Sequence, residues 1–140
     1  MLGVFFVSEK FGFAYNITDS LPHKHFLIIK SAQIKQGYYI LFAAPKTSQY
    51  SGMNLIKQVV GRAGAQVNAV EQDVYVDGMF VGKAKNHSKS GAKLAITRNK
   101  IIPEKQLFVA NAHADSYDSR YSEFGLINEK DVIGVAIALW

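Results

Sequence analysis

Cysteine is absent from this chain of 140 residues. Without it the protein has no disulfide bond, no thiolate nucleophile and no zinc site built on cysteine ligands. The absence does not fix the cellular compartment, because many periplasmic and cytosolic proteins have no disulfides. The remaining composition, with 49% hydrophobic and 19% charged residues, is that of one globular domain with its own core.

A long apolar run is also lacking at the N-terminus. Residues 1–7 (MLGVFFV) fall far short of the ~20 residues that a membrane-spanning helix needs. They also lack the basic stretch and the small-residue cleavage site of a secretory signal. We therefore expect this segment to be either a buried first strand or the stub of a membrane anchor.

Negative charge is in the minority, since 16 Lys and Arg face 11 Asp and Glu, which gives a formal net charge of +5. Gly, Asn and Ser are interspersed with the basic residues between 82 and 101, which predicts an exposed loop or hairpin. This stretch has no recognition-helix pattern and no stacking aromatics, so no nucleic-acid partner is expected. Much of the basic excess is found there: Lys83, Lys85, Lys89, Lys93, Arg98 and Lys100.

Helical periodicity is poor throughout the chain. Short apolar runs rich in β-branched and aromatic residues predict strands instead. Asp77-Gly78 lies between two such runs and is a strong signal for a hairpin turn. At most a short helix is expected, at residues 128–131. The predicted strands are residues 25–30, 37–43, 53–60, 67–70, 73–81, 107–110 and 132–139.

We therefore predict a single, mostly β domain over residues 1–140. Its core is expected at about residues 14–81 and 102–140. A polar insertion, as a small hairpin or loop, is expected at about residues 82–101. Residues 1–13 are expected to be a membrane-proximal segment or the stub of a membrane anchor. The chain shows no internal repeat and no low-complexity tract.

A serine stands directly before a restricted turn in residues 18–22 (TDSLP). Proline fixes its own φ and biases the preceding residue away from helix, so the segment holds Ser20 at the end of an extended stretch. Such a position can expose a hydroxyl group in a fixed geometry. Taken alone, the same pattern also fits an ordinary turn serine.

A lysine interrupts the apolar strand at residues 55–61 (LIKQVVG). The two-residue period of a strand puts Lys57 on the same face as Leu55 and Val59. Desolvation on an apolar face lowers the pKa of a lysine, and a neutral amine can take a proton from a serine hydroxyl. The alternative is a lysine on an edge strand, with its amine in water.

A third polar segment spans residues 115–121 (DSYDSRY). In an extended chain Asp118 and Arg120 turn to one side, where they can form an ion pair. Ser116 has the same parity and offers a hydroxyl that could orient a lysine amine. The alternative is a turn with an ion pair on the surface.

Together these segments resemble the signal-peptidase family of serine–lysine peptidases, and most closely its conjugative-transfer (TraF-type) branch. The resemblance extends from about residue 16 to the end of the chain. It implies a signal-peptidase/LexA-like β-fold catalytic core. The matching segments, in the order of the family, are residues 16–22 (NITDSLP), 55–61 (LIKQVVG), 74–78 (VYVDG), 116–121 (SYDSRY) and 125–127 (GLI), with a closing segment that contains Ile133-Gly134 and Trp140.

The resemblance also implies roles for the polar residues. Ser20 matches the nucleophile and Lys57 its general base. Thr18 matches a hydroxyl that joins the Ser20 backbone N–H in the oxyanion hole. Ser116 matches a serine that hydrogen-bonds the lysine amine.

Two further implied residues shape the site, namely Asp118 and Arg120. Before them, the glycine-asparagine-aspartate run of the family is replaced by residues 111–114 (NAHA). After Pro22, the family's glycine-leucine-tyrosine-like segment is replaced by residues 23–26 (HKHF), next to the implied nucleophile.

The resemblance implies the function of a serine endopeptidase that processes a secreted or membrane precursor, in particular a conjugative pilin. The acyl-enzyme would be hydrolysed or would join the pilin ends by aminolysis. Expected partners are the peptide substrate and the bacterial inner membrane, through an N-terminal anchor, with the catalytic domain facing the periplasm. The alternative is a non-catalytic scaffold or binding module of a conjugative secretion apparatus on the same fold.

A metal site is a further alternative. His23 and His25 would share one face of a strand, and His87 and His113 are the other candidates. Four scattered histidines without a supporting carboxylate pattern make a weak case. No metal or other cofactor is therefore expected.

Overall fold

The computed structural model describes residues 2–16 and 21–140, and strands account for most of the regular structure. This confirms the predicted mostly β fold. The strands are β1 Leu2–Phe6, β2 Phe11–Asn16, β3 His25–Ile29, β4 Tyr39–Ala43, β5 Asn54–Gly61, β6 Gln66–Val70, β7 Asp73–Val76, β8 Met79–Lys83, β9 Lys100–Ile101, β10 Gln106–Ala110, β11 Ile127–Asn128 and β12 Val132–Ala138.

The strands form two antiparallel sheets. The larger sheet has the order β1-β2-β3-β12-β4-β5-β10-β11, and the smaller has the order β8-β7-β6-β9. The last strand, β12, pairs with β3 and β4 in the middle of the larger sheet. Residues 62–65 carry the chain from β5 into the smaller sheet, and Gly64 supplies the positive φ of 90° that this turn requires.

Two apolar clusters lie on opposite faces of the larger sheet, because neighbouring residues of a strand point to opposite sides. Phe42 and Val59 belong to the larger cluster, which also receives Val67 and Val76 from the smaller sheet. Leu41 belongs to the second cluster, on the other face. The domain therefore has one core between its two sheets and a second apolar cluster on the opposite face of the larger sheet.

The hairpin predicted at Asp77-Gly78 is confirmed. The two residues join β7 to β8 with φ values of 49° and 78°, the left-handed conformations that a tight hairpin turn needs. The expected short helix is a single 3₁₀ turn, Glu129–Asp131. Within residues 2–16 and 21–140, no helix has the length and the apolar character needed to cross a membrane.

Strand β2 was not predicted from the sequence. Its aromatic side chains face solvent, while Gly12 and Ala14 point inward. The sequence of β2 is therefore a continuous apolar run without alternation in hydrophobicity, although the burial of its residues alternates with the two-residue period of a strand. β2 pairs with β1 at the edge of the larger sheet, where Phe5 and Phe6 are exposed.

Residues 84–99 connect the two outer strands of the smaller sheet and have little regular structure. Isolated bridges join His87 to Lys93 and Ile96 to Tyr121. Leu94 is buried in the larger cluster. This excursion is thereby held against the segment that contains Ser116 and Asp118.

Candidate active site

Lys57 lies in the interior of the larger sheet. β5 pairs with β4 on one side and with β10 on the other, so the edge-strand alternative is wrong. Leu55 and Val59 pack in the larger cluster, as the strand period predicts for their shared face. The Lys57 side chain is only 4% exposed to solvent.

The Lys57 amine donates a hydrogen bond to the hydroxyl of Ser116, with 3.1 Å between Nζ and Oγ. Among the described residues, no carboxylate forms an ion pair with this amine. Burial removes the amine from water and lowers the pKa of Lys57 to about 8, against an opposing effect of the Asp118 charge. Arg120 lowers the pKa further. The amine therefore loses its proton near pH 8, well below the ordinary range of a lysine.

Asp118 and Arg120 form the predicted ion pair, and the pair is buried, so the surface alternative is wrong. The two side chains are 0% and 1% exposed. Arg120 Nε and Nη2 donate to the two carboxylate oxygens of Asp118, each at 2.8 Å. This bidentate geometry fixes both side chains.

The ion pair in turn fixes the backbone around Ser116. Arg120 Nη2 donates to the carbonyl oxygen of Ser116 at 3.0 Å, and Asp118 Oδ2 accepts from the backbone N–H of Asn111 at 3.2 Å. A continuous set of hydrogen bonds thus runs from Asp118 through Arg120 and Ser116 to the amine of Lys57.

A cavity of about 250 Å³ lies beside Lys57. Ser116 and Ile56 line it together with Lys57. Asn16 and Leu21, the described residues on either side of residues 17–20, also line it. Its surface is more apolar than polar.

Thr18 and Ser20, the predicted oxyanion-hole residue and the predicted nucleophile, lie outside the described residues. Of the six predicted site residues, the structure brings together Lys57, Ser116, Asp118 and Arg120.

The whole chain, residues 1–140, matches the family model described as signal peptidase, peptidase S26. The chain belongs to the signal peptidase family S26. This is a family of serine peptidases that process precursors. No curated protein matches the sequence.

A solved structure supports the fold of this S26 family member. The chain is similar to a signal peptidase I from Enterococcus faecalis V583, with 24% sequence identity and a TM-score of 0.51. The similarity covers 74% of this chain and 97% of the other. It confirms the predicted signal-peptidase β-fold.

Asn111 is a site residue that was not predicted from the sequence. Its side chain donates to the carbonyl oxygen of Ile56 and accepts from the backbone N–H of Gln58, each at 3.3 Å. These are the two residues that flank Lys57, so Asn111 fixes the backbone of β5 on both sides of the amine. The available signal was an asparagine directly after the buried strand at residues 107–110.

Gly82 is a second residue that was missed. A methyl group at this position would overlap the Arg120 guanidinium. Arg120 cannot move away without losing its bidentate bonds to Asp118. In this signal peptidase family member, Gly82, the last residue but one of β8, therefore makes room for the buried ion pair.

The described residues contain no group of three or more His, Asp or Glu side chains arranged to hold a metal ion. His25 contacts Trp140 in a tilted arrangement, with ring centroids 4.6 Å apart, and His23 contacts Phe26 and Tyr39 edge to face. These histidines pack against aromatic rings.

Burial of the Lys57 amine predicts a specific dependence of stability on pH. The unfolded chain keeps this proton up to the ordinary pKa of 10.5, whereas the folded chain loses it near 8. Between these values the unfolded state binds more protons, so the free energy of unfolding should rise with pH. Relative to Lys57→Met, the wild type should gain about 3 kcal/mol between pH 7 and 10.5. Urea unfolding of both proteins at four pH values measures this gain, and parallel stability curves would contradict the buried, deprotonating amine.

Proposed function

We propose that this member of the S26 family is a serine endopeptidase in which Ser20 is the nucleophile and Lys57 the general base. The observation that carries the proposal is the buried Lys57, whose amine has a pKa of about 8 and no carboxylate partner among the described residues, and which lines an apolar cavity. Both residues that flank the 17–20 segment line the same cavity. Ser20 is bonded directly to one of them, Leu21.

In the first chemical step the neutral Lys57 amine takes the proton of the Ser20 hydroxyl, and Oγ attacks the peptide carbonyl carbon. The negative charge that forms on the carbonyl oxygen is stabilised by the Ser20 backbone N–H and the Thr18 hydroxyl. One such donor contributes about 3–4 kcal/mol to the transition state. Lys57 then gives the proton to the leaving amine as the carbon–nitrogen bond breaks, which leaves an acyl-enzyme ester.

Ser116 has a positioning role in this mechanism. Its hydroxyl accepts one N–H of the Lys57 amine, and its own backbone is held by Arg120. This arrangement restricts rotation of the ammonium group that forms in each proton transfer. The lysine is therefore oriented before the substrate binds.

The acyl-enzyme can be resolved by two nucleophiles. Attack of water, with Lys57 again as the base, releases the processed chain. Attack of the free N-terminal amine of the same chain forms a new peptide bond and closes a ring, with Ser20 as the leaving group in both cases.

The cavity supports a substrate with small side chains before the cleaved bond. Its volume of about 250 Å³ and its apolar lining fit small apolar groups, with the peptide bound as an added β-strand. The resemblance of residues 116–121 to the conjugative branch supports a conjugative pilin precursor as the substrate.

We place the domain at the periplasmic face of the bacterial inner membrane. Exposed aromatic side chains at the edge of the larger sheet support a membrane-proximal position of residues 1–13. Phe5 is 69% exposed, and Phe11 and Phe13 are exposed on the neighbouring strand. A scaffold role without catalysis would make no use of the lowered pKa of Lys57.

The direct test is to incubate the protein with candidate pilin precursors and to measure intact masses. Loss of a terminal segment indicates hydrolysis, and the further loss of one water from the processed chain indicates cyclisation. The Ser20→Ala protein is the matched control and should leave every precursor intact. Identical products with wild type and Ser20→Ala would refute the proposal.

A further inference from the structure

A second cavity, of about 570 Å³, adjoins the one beside Lys57. The two cavities share the wall formed by residues 115–117. The opposite wall comes from the 84–99 excursion. In contrast to the apolar first cavity, this basic pocket is lined by Lys85, His87 and Lys89 together with the hydroxyls of Ser88 and Ser90.

Asp115 is the one carboxylate among the described residues that line the basic pocket. It forms ion pairs with both lysines: Lys85 contacts Oδ1, and Lys89 contacts Oδ2 at 3.1 Å. Two ammonium groups around one carboxylate leave one positive charge that is not neutralised within the pocket.

Hydrogen-bond donors also remain in excess. An ammonium group has three N–H donors, and Asp115 takes one from each lysine. The Lys89 side chain is 82% exposed, so its remaining donors face solvent. The pocket therefore holds one carboxylate already and has the charge and the donors for a second.

We propose that the basic pocket binds a carboxylate group in the part of the substrate that follows the cleaved bond. The inference rests on the proposed function, which assigns the apolar cavity to the small residues before that bond. The substrate chain that continues past the shared wall enters the basic pocket. At about 3.3 Å per extended residue, the first four residues after the bond span roughly 13 Å. Because the two cavities share one wall, we place the carboxylate within these four residues.

An acidic side chain and the C-terminal carboxylate of a short leaving segment are the two sources of this group. Synthetic peptides separate them. Each peptide carries Ala-x-Ala before the bond. One series has an amidated C-terminus and Glu or Gln at each of the first four positions after the bond. A second series has uncharged side chains after the bond. Its peptides end at the fourth position, either as the free acid or as the amide.

We expect that a carboxylate at one of these positions raises kcat/KM for cleavage about tenfold above that of the matched neutral peptide. The advantage should fall below twofold in the Lys85→Gln/Lys89→Gln protein and should shrink at high ionic strength. The matched control is Lys93→Gln/Lys100→Gln, which removes the same charge from residues that do not line the pocket. It should keep the tenfold advantage.

Equilibrium binding of the same peptides to the Ser20→Ala protein separates this proposal from the proposed function. Cleavage and binding without any carboxylate preference would overturn the basic pocket and leave the peptidase assignment standing. Conversely, a carboxylate preference in binding that Lys85→Gln/Lys89→Gln removes, with no peptide cleaved by the wild type, supports the pocket and contradicts the peptidase assignment.

Discussion

Replacement of Lys57 by Met is expected to lower kcat/KM for peptide cleavage by about a thousandfold or more while the protein stays folded. A positioned general base contributes about 10²–10⁴-fold. Methionine fills a similar elongated space and places no charge among Leu55 and Val59, so the core should tolerate it. Steady-state kinetics with a cleaved peptide, together with a urea unfolding curve, measure both parts of the prediction.

Two more variants complete this experiment, namely Ser20→Ala and the double variant Ser20→Ala/Lys57→Met. Residues that act as one unit are strongly non-additive, so the double variant should be about as slow as either single variant. Lys130→Met, on an exposed residue, is the matched control and should keep wild-type kinetics. If Lys57→Met keeps a tenth or more of the activity, Lys57 is not the general base.

Asp118→Asn is expected to lower the free energy of unfolding by about 3–5 kcal/mol. The change leaves the buried Arg120 guanidinium without its counter-charge, and removal of one partner of a buried pair costs about this much. It also replaces one of the two acceptor oxygens by an NH₂ group, which cannot accept, so two of the four hydrogen bonds from Arg120 Nε, Nη2 and N and from Asn111 N are lost. Urea unfolding of both proteins measures the change.

Asp73→Asn is the matched control for this prediction. Asp73 pairs with Lys83 at 2.9 Å, but both side chains are partly in water, so the change should cost less than about 1 kcal/mol. Equal effects of the two substitutions would contradict the buried pair. Since the Asp118 charge raises the pKa of Lys57, Asp118→Asn should also move the activity profile to lower pH.

Features of the site that depend on a single segment of the sequence were predictable. The apolar run around Lys57 fixed which neighbours share its face, because the strand period is a local property. The sequence left open whether β5 lies inside the sheet or at its edge. The structure decides this by pairing β10 against it, which is a contact between segments about fifty residues apart.

Asn111 shows why the rest of the site was not predictable. Its two bonds to β5 depend on the register between β5 and β10, which shifts between Phe108 and Val109. A register with an irregularity is set by packing of the whole sheet and has no local sequence signal. The same holds for Gly82, whose role depends on where Arg120 lies.

β2 was missed for a different reason. Apolar side chains on its inward face are small and those on its outward face are large and aromatic, so hydrophobicity does not alternate along the strand. The fold class was still predicted correctly, because the neighbouring apolar runs were long and rich in β-branched residues. The roles of Ser20 and Thr18 rest on the sequence and remain predictions.

The pH dependence of kcat/KM tests the central claim, a deprotonated Lys57 amine as the base for Ser20, most directly. This parameter reports the ionisation of the free enzyme. We predict a rising limb governed by a single deprotonation with a midpoint near pH 8, the pKa to which burial lowers Lys57. A rate that does not change between pH 6 and 9, or a limb at the ordinary lysine pKa of 10.5, would contradict it.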